Sequence, residues 1–417
     1  MNQTSIRSNL KQYMMLIVLV GIIILFQVLT NGTLLRPMNV SNLIFQNAYV
    51  VILAVGMLLC ILTGGNIDLS VGSVVALIGA CAGTFIISCG WNPHLSILLA
   101  LLIGIGIGIW QGFWIAYVRI PAFIVTLAGM LIFRGLTLIV LNGLTLAPFP
   151  DEYRAYSAGF IPDLFENLNL FGVRNSTALI VGVVLAVAFT LYKIYSYNSR
   201  KSKGYFVENP FKLGVRLTII ATAIIWLFYI LANYRGVPMV FIILGVILMV
   251  YSYFTSSTVP GRHIYALGGN EKAARLSGVK TKKLLFLVYV NMAFLASIAG
   301  IVFSTRLNSA SPQAGNMFEL DAIGAVFIGG ASATGGIGTV GGTLAGALIM
   351  GVLNNGMSIM GINSNVQQVV KGLVLLAAVA FDVISKNHNI LDFLRKFSRK
   401  KEEKHNVDEQ IENTVSE

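Results

Sequence analysis

Val50-Val51-Ile52-Leu53-Ala54-Val55-Gly56-Met57-Leu58-Leu59-Cys60-Ile61-Leu62 carries no charge, and no charged residue interrupts the chain back to Leu43. A helix crossing the hydrocarbon of a bilayer takes about 20 mostly apolar residues, and 43–62 supplies that length. Comparable segments recur at 13–30, 70–89, 95–117, 122–141, 177–197, 215–232, 237–254, 284–303, 340–357 and 365–384. A further segment, 321–334, is short and glycine-rich, suited to a short crossing or to a re-entrant element packed inside protein. Of 417 residues, 56% are hydrophobic and 11% charged, against about 25% charged in a soluble domain. The pattern predicts an all-α, polytopic transmembrane bundle of about twelve spans.

Lys and Arg exceed Asp and Glu by 12. A nucleic-acid footprint would gather basic residues on one soluble face. Here long apolar runs separate them. With the N-terminus inside and twelve crossings, 22 of the 29 Lys and Arg fall on the inner side, five fall outside, and Arg134 and Lys371 lie within spans. This asymmetry fits the positive-inside rule and places both termini in the cytoplasm. Omitting 321–334 as a crossing would put the basic C-tail outside. The predicted organisation is a tail over 1–12, a transmembrane unit over 13–385 and a basic tail over 386–417. The tail's Ile390, Leu391, Leu394 and Phe397 suit a short helix on an anionic inner leaflet or a solvated tail, and 402–417 has a disordered composition. Segment 142–176 becomes an outer loop and 255–283 a basic inner loop.

Residues 14–29 follow Arg7 and Lys11 as a signal peptide's apolar stretch would, but no small-residue cleavage site follows, which predicts an uncleaved first span. Cys60, Cys81 and Cys89 fit neither a CxxC pair nor zinc spacing and are expected as lipid-buried thiols. No metal site is expected. Gly104, Gly108 and Gly112 fall at i, i+4, i+8, as do Gly338, Gly342 and Gly346. Such faces let helices approach closely. Gly336 to Gly341 matches G-x-G-x-x-G, but apolar spans flank it and no acid follows near 361, so a dinucleotide fold is excluded. Thr63–Gly72 and Gly329–Gly342 look alike. Each is a glycine-rich link into an apolar run, either an internal repeat with broken helices or a coincidence in a glycine-rich chain.

Known catalytic patterns are missing. No Gly-Lys dipeptide, H-E-x-x-H or G-x-S-x-G occurs. Asp68 and Asp321 are read at span edges and Asp382 near an inner end, so no mid-span carboxylate pair is evident. The chain is expected not to be an enzyme and to bind no cofactor. In the inner loop, Asn270 can cap a helix opening at Glu271, whose charge suits a helix N-terminus, and Gly278 can end it in the left-handed region. That gives a two-turn helix with small Ala273 and Ala274 and charged Arg275, either a partner-docking helix or a solvated connector.

Glu271-Lys272-Ala273-Ala274 followed by Gly278 resembles the coupling loop of ABC importer permeases. Tyr265 through Glu271 with Ser277-Gly278-Val279 resembles more narrowly the ribose/xylose/galactose-type sugar permeases. So do Asp68–Ser73, Glu319–Ile323 and Gly351–Gly356, across about 43–384. Ribose-type permeases are similar with ten spans. The added hydrophobic pair over about 175–233 is similar to the xylose and multiple-sugar branch.

The resemblance implies a bacterial inner-membrane subunit that forms a sugar pathway as a pair of permeases. A separate ATPase that hydrolyses ATP would dock at the inner loop, and a periplasmic or lipid-anchored sugar-binding protein would dock outside, with 142–176 a plausible surface for it. Sugar recognition uses amide and carboxylate hydrogen bonds and aromatic stacking. Gln46, Asn47, Gln111, Asn291, Asn354, Asn355, Gln367 and Gln368 are therefore candidate pathway residues, against plain interhelical hydrogen bonding. Arg134 and Lys371 need partners in the membrane. They either pair with carboxylates or backbone carbonyls or line the pathway. Glu319 and Asp321 are possible partners, or only helix-opening acids. The rival reading is a secondary transporter driven by H⁺ or Na⁺.

Overall fold

The computed structural model describes residues 3–168, 172–205, 207 and 209–386. In chain order the helices are α1 (Gln3–Leu29), α2 (Pro37–Leu62), α3 (Val71–Gly83), α4 (Pro93–Phe113), α5 (Ala122–Leu141), α6 (Asp151–Ala158), α7 (Ser176–Ser202) and α8 (Pro210–Ala232). They continue as α9 (Met239–Ser257), α10 (Val259–Gly269), α11 (Glu271–Leu276), α12 (Thr281–Leu307), α13 (Phe318–Ile328), α14 (Val340–Ile359) and α15 (Ser364–Lys386). A π-helical turn extends α3 to Ser88 and another extends α4 to Val118. Among the described residues there is no strand, only isolated bridges Leu146–Ala310 and Phe160–Pro238.

Among the described residues, ten helices are long and apolar enough to cross a membrane. The expected spans 13–30 and 321–334 differ from these. The apolar part of α1 found here is Ile17–Leu29. α13 has 11 residues, about 16 Å at 1.5 Å per residue, half a bilayer core. Gly329 and Gly330 end it, so the predicted 321–334 is a short helix and a link. Of the tail read over 386–417, everything past Lys386 lies outside the described residues.

The chain's local chemistry explains the helix starts. Pro37, Pro93 and Pro210 sit at first-turn positions, where the missing N–H costs nothing. Asn92, Asn175 and Asn209 cap α4, α7 and α8 by accepting from His94 N, Ala178 N and Phe211 N at 2.8, 2.8 and 2.9 Å. Arg119 and Asn142 end α4 and α5 with φ of +71° and +49°.

α2 is the hub, packed against α12, α14, α13 and α9. Nearly all of it from Asn47 to Leu62 is buried. Helices α5, α7, α8 and α9 stand at the periphery with most of their surface open to lipid. The α7–α8 hairpin has its own small core of Val173, Ala178, Leu179, Phe228, Ala232 and Val237. It joins the bundle through Ile230 and Leu231 against Val40, as an edge module covering the expected inserted pair.

The loop between α5 and α7 is docked. Tyr153 of α6 is fully buried and its hydroxyl lies 2.8 Å from Ser304 Oγ. Asp163 accepts from Phe165 N, Ser176 N, Thr177 N and Thr177 Oγ1 at 2.6–3.1 Å. Slight burial pushes its carboxyl upward, and these hydrogen bonds outweigh that and hold it below the usual range. Cys60 and Cys81 are buried and Cys89 is exposed, all three as free thiols.

Gly104, Gly108 and Gly112 all face α12. A Cβ on Gly108 would lie 2.6 Å from Val290 Cα, backbone that cannot step aside. Gly338 departs from its expected face: it precedes α14, with φ +158°, against Leu58 and Ala331. Of these three, Gly342 and Gly346 lie on α14, against Gly329 and Ala325. We expect Gly108→Ala to lower the melting temperature in detergent, at a cost of about 1–3 kcal/mol for overpacking. Gly106→Ala should leave it unchanged or raised, since nothing lies within 4 Å of that position.

Candidate functional site

Two glycine-rich links between consecutive helices meet inside the bundle. The first link, 63–70, turns on Gly64 and Gly65, with φ of +114° and +77°. It enters α3 through Asp68, whose Oδ1 accepts from Ser70 N at 2.8 Å and Ser70 Oγ at 2.6 Å. The second link, 329–339, turns on Gly330, Gly335 and Gly336, also at positive φ. It enters α14 through Thr339, whose hydroxyl accepts from Gly342 N at 3.0 Å. These are the two look-alike stretches, and they lie against each other. Gly336 N donates to Leu62 O at 3.1 Å. A Cβ on Gly335 would sit 2.5 Å from Gly64, and one on Gly65 2.2 Å from Ala333 O. The G-x-G-x-x-G string is this link, with no strand before it.

A third irregular segment, 308–317, joins α12 to α13 beside α3. Its Ala310 lies against Gly83 and its Gly315 against Gly72, so it runs along α3 from the C-terminal toward the N-terminal end. A Cβ on Gly72 would be 2.2 Å from Gly315 O, and one on Gly315 1.9 Å from Gly72 O. Arg134 Nη1 donates to the Pro312 and Ala314 carbonyls at 3.0 and 2.6 Å. The N-terminal ends of α3 and α13 therefore converge, with Asp68, Glu319 and Asp321 near them. Glu319 is half-buried and reaches the Gly72 backbone. Acids there suit the helix dipole.

Asp68 and Asp321, read from the sequence at span edges, are each only 1% exposed. The correction has a physical cause: the links fold inward, so a residue at the end of an apolar run is deep in the protein. Asp321 meets Lys371 of α15, with Nζ 2.9 Å from one carboxylate oxygen and 3.2 Å from the other. Tyr49 of α2 donates to the same carboxylate at 2.9 Å. The Tyr49 ring stacks on Phe318 at 3.8 Å and meets Phe303 edge-on at 5.6 Å.

The candidate amides divide. Asn39 and Asn355 exchange hydrogen bonds at 2.8 and 3.2 Å, and Asn355 also donates to Gln46 at 3.1 Å. Asn47 donates to Ala347 O at 2.8 Å and packs on Gly351. These bonds tie α2 to α14. Gln111 donates to Ser70 Oγ at 2.7 Å, Tyr251 donates to Asn291, and Gln367 donates to Ile362 O at 2.8 Å. Gln368 is exposed, away from these groups, and the Asn354 side-chain oxygen is buried without a partner among the described residues. The sequence did not single out Tyr49, Asn39 or Ser70. A tyrosine in an apolar run carries no signal that separates core from site.

In the 255–283 loop, Asn270 accepts from Ala273 N at 2.9 Å and so caps α11. Glu271 pairs with Arg119 at 2.8 Å, and Gly278 has φ +86°. Ala274 is buried, while Ala273 and Arg275 are exposed and Leu276 is 88% exposed. The preceding α10 lies on both links. A Cβ on Gly268 would be 1.7 Å from Leu62 O and 2.6 Å from Gly336 N. Tyr265 donates to Gly338 O at 2.8 Å, and burial pushes its phenol up.

A membrane bundle in which a short helix rests on two glycine-rich links between spans has the form of a transport-system permease. The chain belongs to the family described as branched-chain amino acid transport system / permease component, whose model matches residues 39–379. It is 38% identical to the xylose transport system permease protein XylH of Escherichia coli over 383 residues, 91% of this chain and 94% of that protein. The Haemophilus influenzae XylH is 37% identical over 378 residues, 91% of this chain and 97% of that one. The ribose import permease protein RbsC of Bacillus subtilis is 36% identical over 361 residues, 87% and 89% of the two chains. No solved structure matches the chain.

Removing one partner of a buried ion pair leaves a bare charge and costs about 3–5 kcal/mol, whereas replacing both with apolar groups is often neutral. Lys371→Met alone should therefore lower thermal stability in detergent sharply. Lys371→Met combined with Asp321→Leu should recover most of the loss. A double variant as damaged as the sum of its singles would remove the pairing.

Proposed function

We propose that this chain is the membrane permease subunit of a bacterial inner-membrane ABC importer for a sugar of the xylose or ribose type, or a small oligosaccharide. The carrying observation is full-length similarity to permeases of xylose transport, 91% of this chain against 94% of the relative. The α7–α8 edge module and the capped α11 support it. Two copies pair around one pathway. A separate ATPase docks at Asn270–Gly278, and a sugar-binding protein delivers its cargo at the outer loop. ATP is hydrolysed by that partner, and this chain binds no cofactor of its own.

The chain crosses twelve times in this reading. α13 with its following link counts as one crossing, and both termini are cytoplasmic. Closure of the ATPases displaces α11. Through the shared Asn270, α11 carries α10, and Gly268 and Tyr265 bear directly on both links. One motion at the inner face thus reaches both interrupted helices, which is what alternating access needs. The Asp321–Lys371–Tyr49 group and the converging ends of α3 and α13 are the candidate pathway surface, offering the carboxylate, hydroxyl and aromatic chemistry that holds sugars.

Uptake of labelled xylose by vesicles carrying the chain with its ATPase and binding protein should require ATP and survive collapse of the ion gradients. Uptake that follows the proton gradient would favour the secondary-transporter reading instead. In the same vesicles, Glu271→Lys should abolish sugar-stimulated ATP hydrolysis and uptake together, while Gly268→Val should leave hydrolysis but lose uptake. Normal coupled transport by both variants would sink the route through α10 and α11.

A further inference from the structure

We propose that a basic cleft beside α11 holds the phosphate of an anionic phospholipid from the inner leaflet. The cleft has a volume of about 340 Å³ and is lined by Tyr117, Arg119, Arg275 and Lys280 to Lys283. It continues past Lys272 to Glu271. Glu271 neutralises Arg119. Among the described residues, Lys272, Arg275, Lys280, Lys282 and Lys283 have no carboxylate within ion-pair distance. Concentrating uncompensated like charge in one cleft raises its potential and favours an anion.

The surface above the cleft says what kind of anion. Ile109, Trp110, Phe113, Trp114 and Tyr117 run up the outer face of α4 and its π-helical turn, and each is 36–48% exposed. Phe113 meets Trp114 at 5.5 Å, and Tyr117 meets Phe286 at 5.6 Å. Tryptophan and tyrosine mark the membrane–water boundary. Tyr117 belongs both to this band and to the cleft wall. A ligand with a phosphate below and acyl chains above fits both at once. A free anion would use only the lower half, and an acidic soluble protein would have no use for the upper. Basic pockets beside transmembrane helices on the cytoplasmic side suit anionic headgroups. The inner-leaflet assignment rests on the proposed orientation, but the binding itself is measured without transport.

The purified, delipidated full-length chain is titrated with phosphatidylglycerol or phosphatidylcholine and read by native mass spectrometry. The wild type should retain phosphatidylglycerol at least about thirtyfold better. Lys282→Ala with Lys283→Ala should weaken that by about thirtyfold, taking the contribution of two surface lysines. Lys282→Arg with Lys283→Arg should keep it, and Lys201→Ala with Lys203→Ala, on another inner loop, should not change it. Size-exclusion profiles check that each variant is folded. Equal retention of the two lipids overturns the proposal, as does equal loss in the Lys201 and Lys203 control. Displacement by millimolar inorganic phosphate would make the cleft a free-anion site. Displacement by the docked ATPase would assign it to that protein.

Discussion

Backbone meets backbone where side chains have been removed. Gly72 against Gly315, Gly335 against Gly64 and Gly268 against Leu62 are contacts that a single methyl group would fill. In lipid there is no hydrophobic drive between helices, so association depends on close packing and on hydrogen bonds that approach makes possible. The bond from Gly336 N to Leu62 O exists only because the two links can touch. From these contacts the rest follows. α2 is encircled by elements that come close enough to bury it, and its apolar run serves protein contact more than lipid contact.

Interrupting helices inside a membrane exposes carbonyls and N–H groups that need partners, and placing charges there carries the same requirement. The fold sets one problem against the other. Arg134 takes the carbonyls of Pro312 and Ala314, which the irregular 308–317 segment leaves unpaired. Asp382 accepts from Ala333 N in the second link, and Asp68 holds the entry to α3. Lys371 and Asp321 neutralise each other across α13 and α15. Arg134, Asp382 and Asp68 are thus charges that make non-helical backbone tolerable.

What could be read from sequence divides by range. The cap at Asn270 and the left-handed Gly278 were legible because each is decided within a few residues. The long spans were legible because length and apolarity suffice. Segment 321–334 was ambiguous for the same reason: its composition suits a span, and only Gly329 against Gly342 explains why α13 stops. Gly338 was misplaced because a four-residue period does not say where a helix begins. Asp68 and Asp321 were misplaced in depth, since depth depends on how the links fold. The partners Asn39 and Asn355 are 316 residues apart, and nothing local joins them.

The position of α10 bears on how the proposed coupling could reach the interior. Had α11 packed on a complete helix, a push at the surface would move that helix as a rod. Instead α10 rests on two links between helices, with Gly268 wedged between Leu62 at the end of α2 and Gly336 in the second link. Tyr265 holds Gly338, the last glycine before α14. Broken ends have free dihedral angles to absorb a displacement, and intact helices do not. A shift of α10 as proposed above would fall first on the entries to α3 and α14, while the Asn39–Asn355–Gln46 hydrogen bonds tie α2 to α14 away from them.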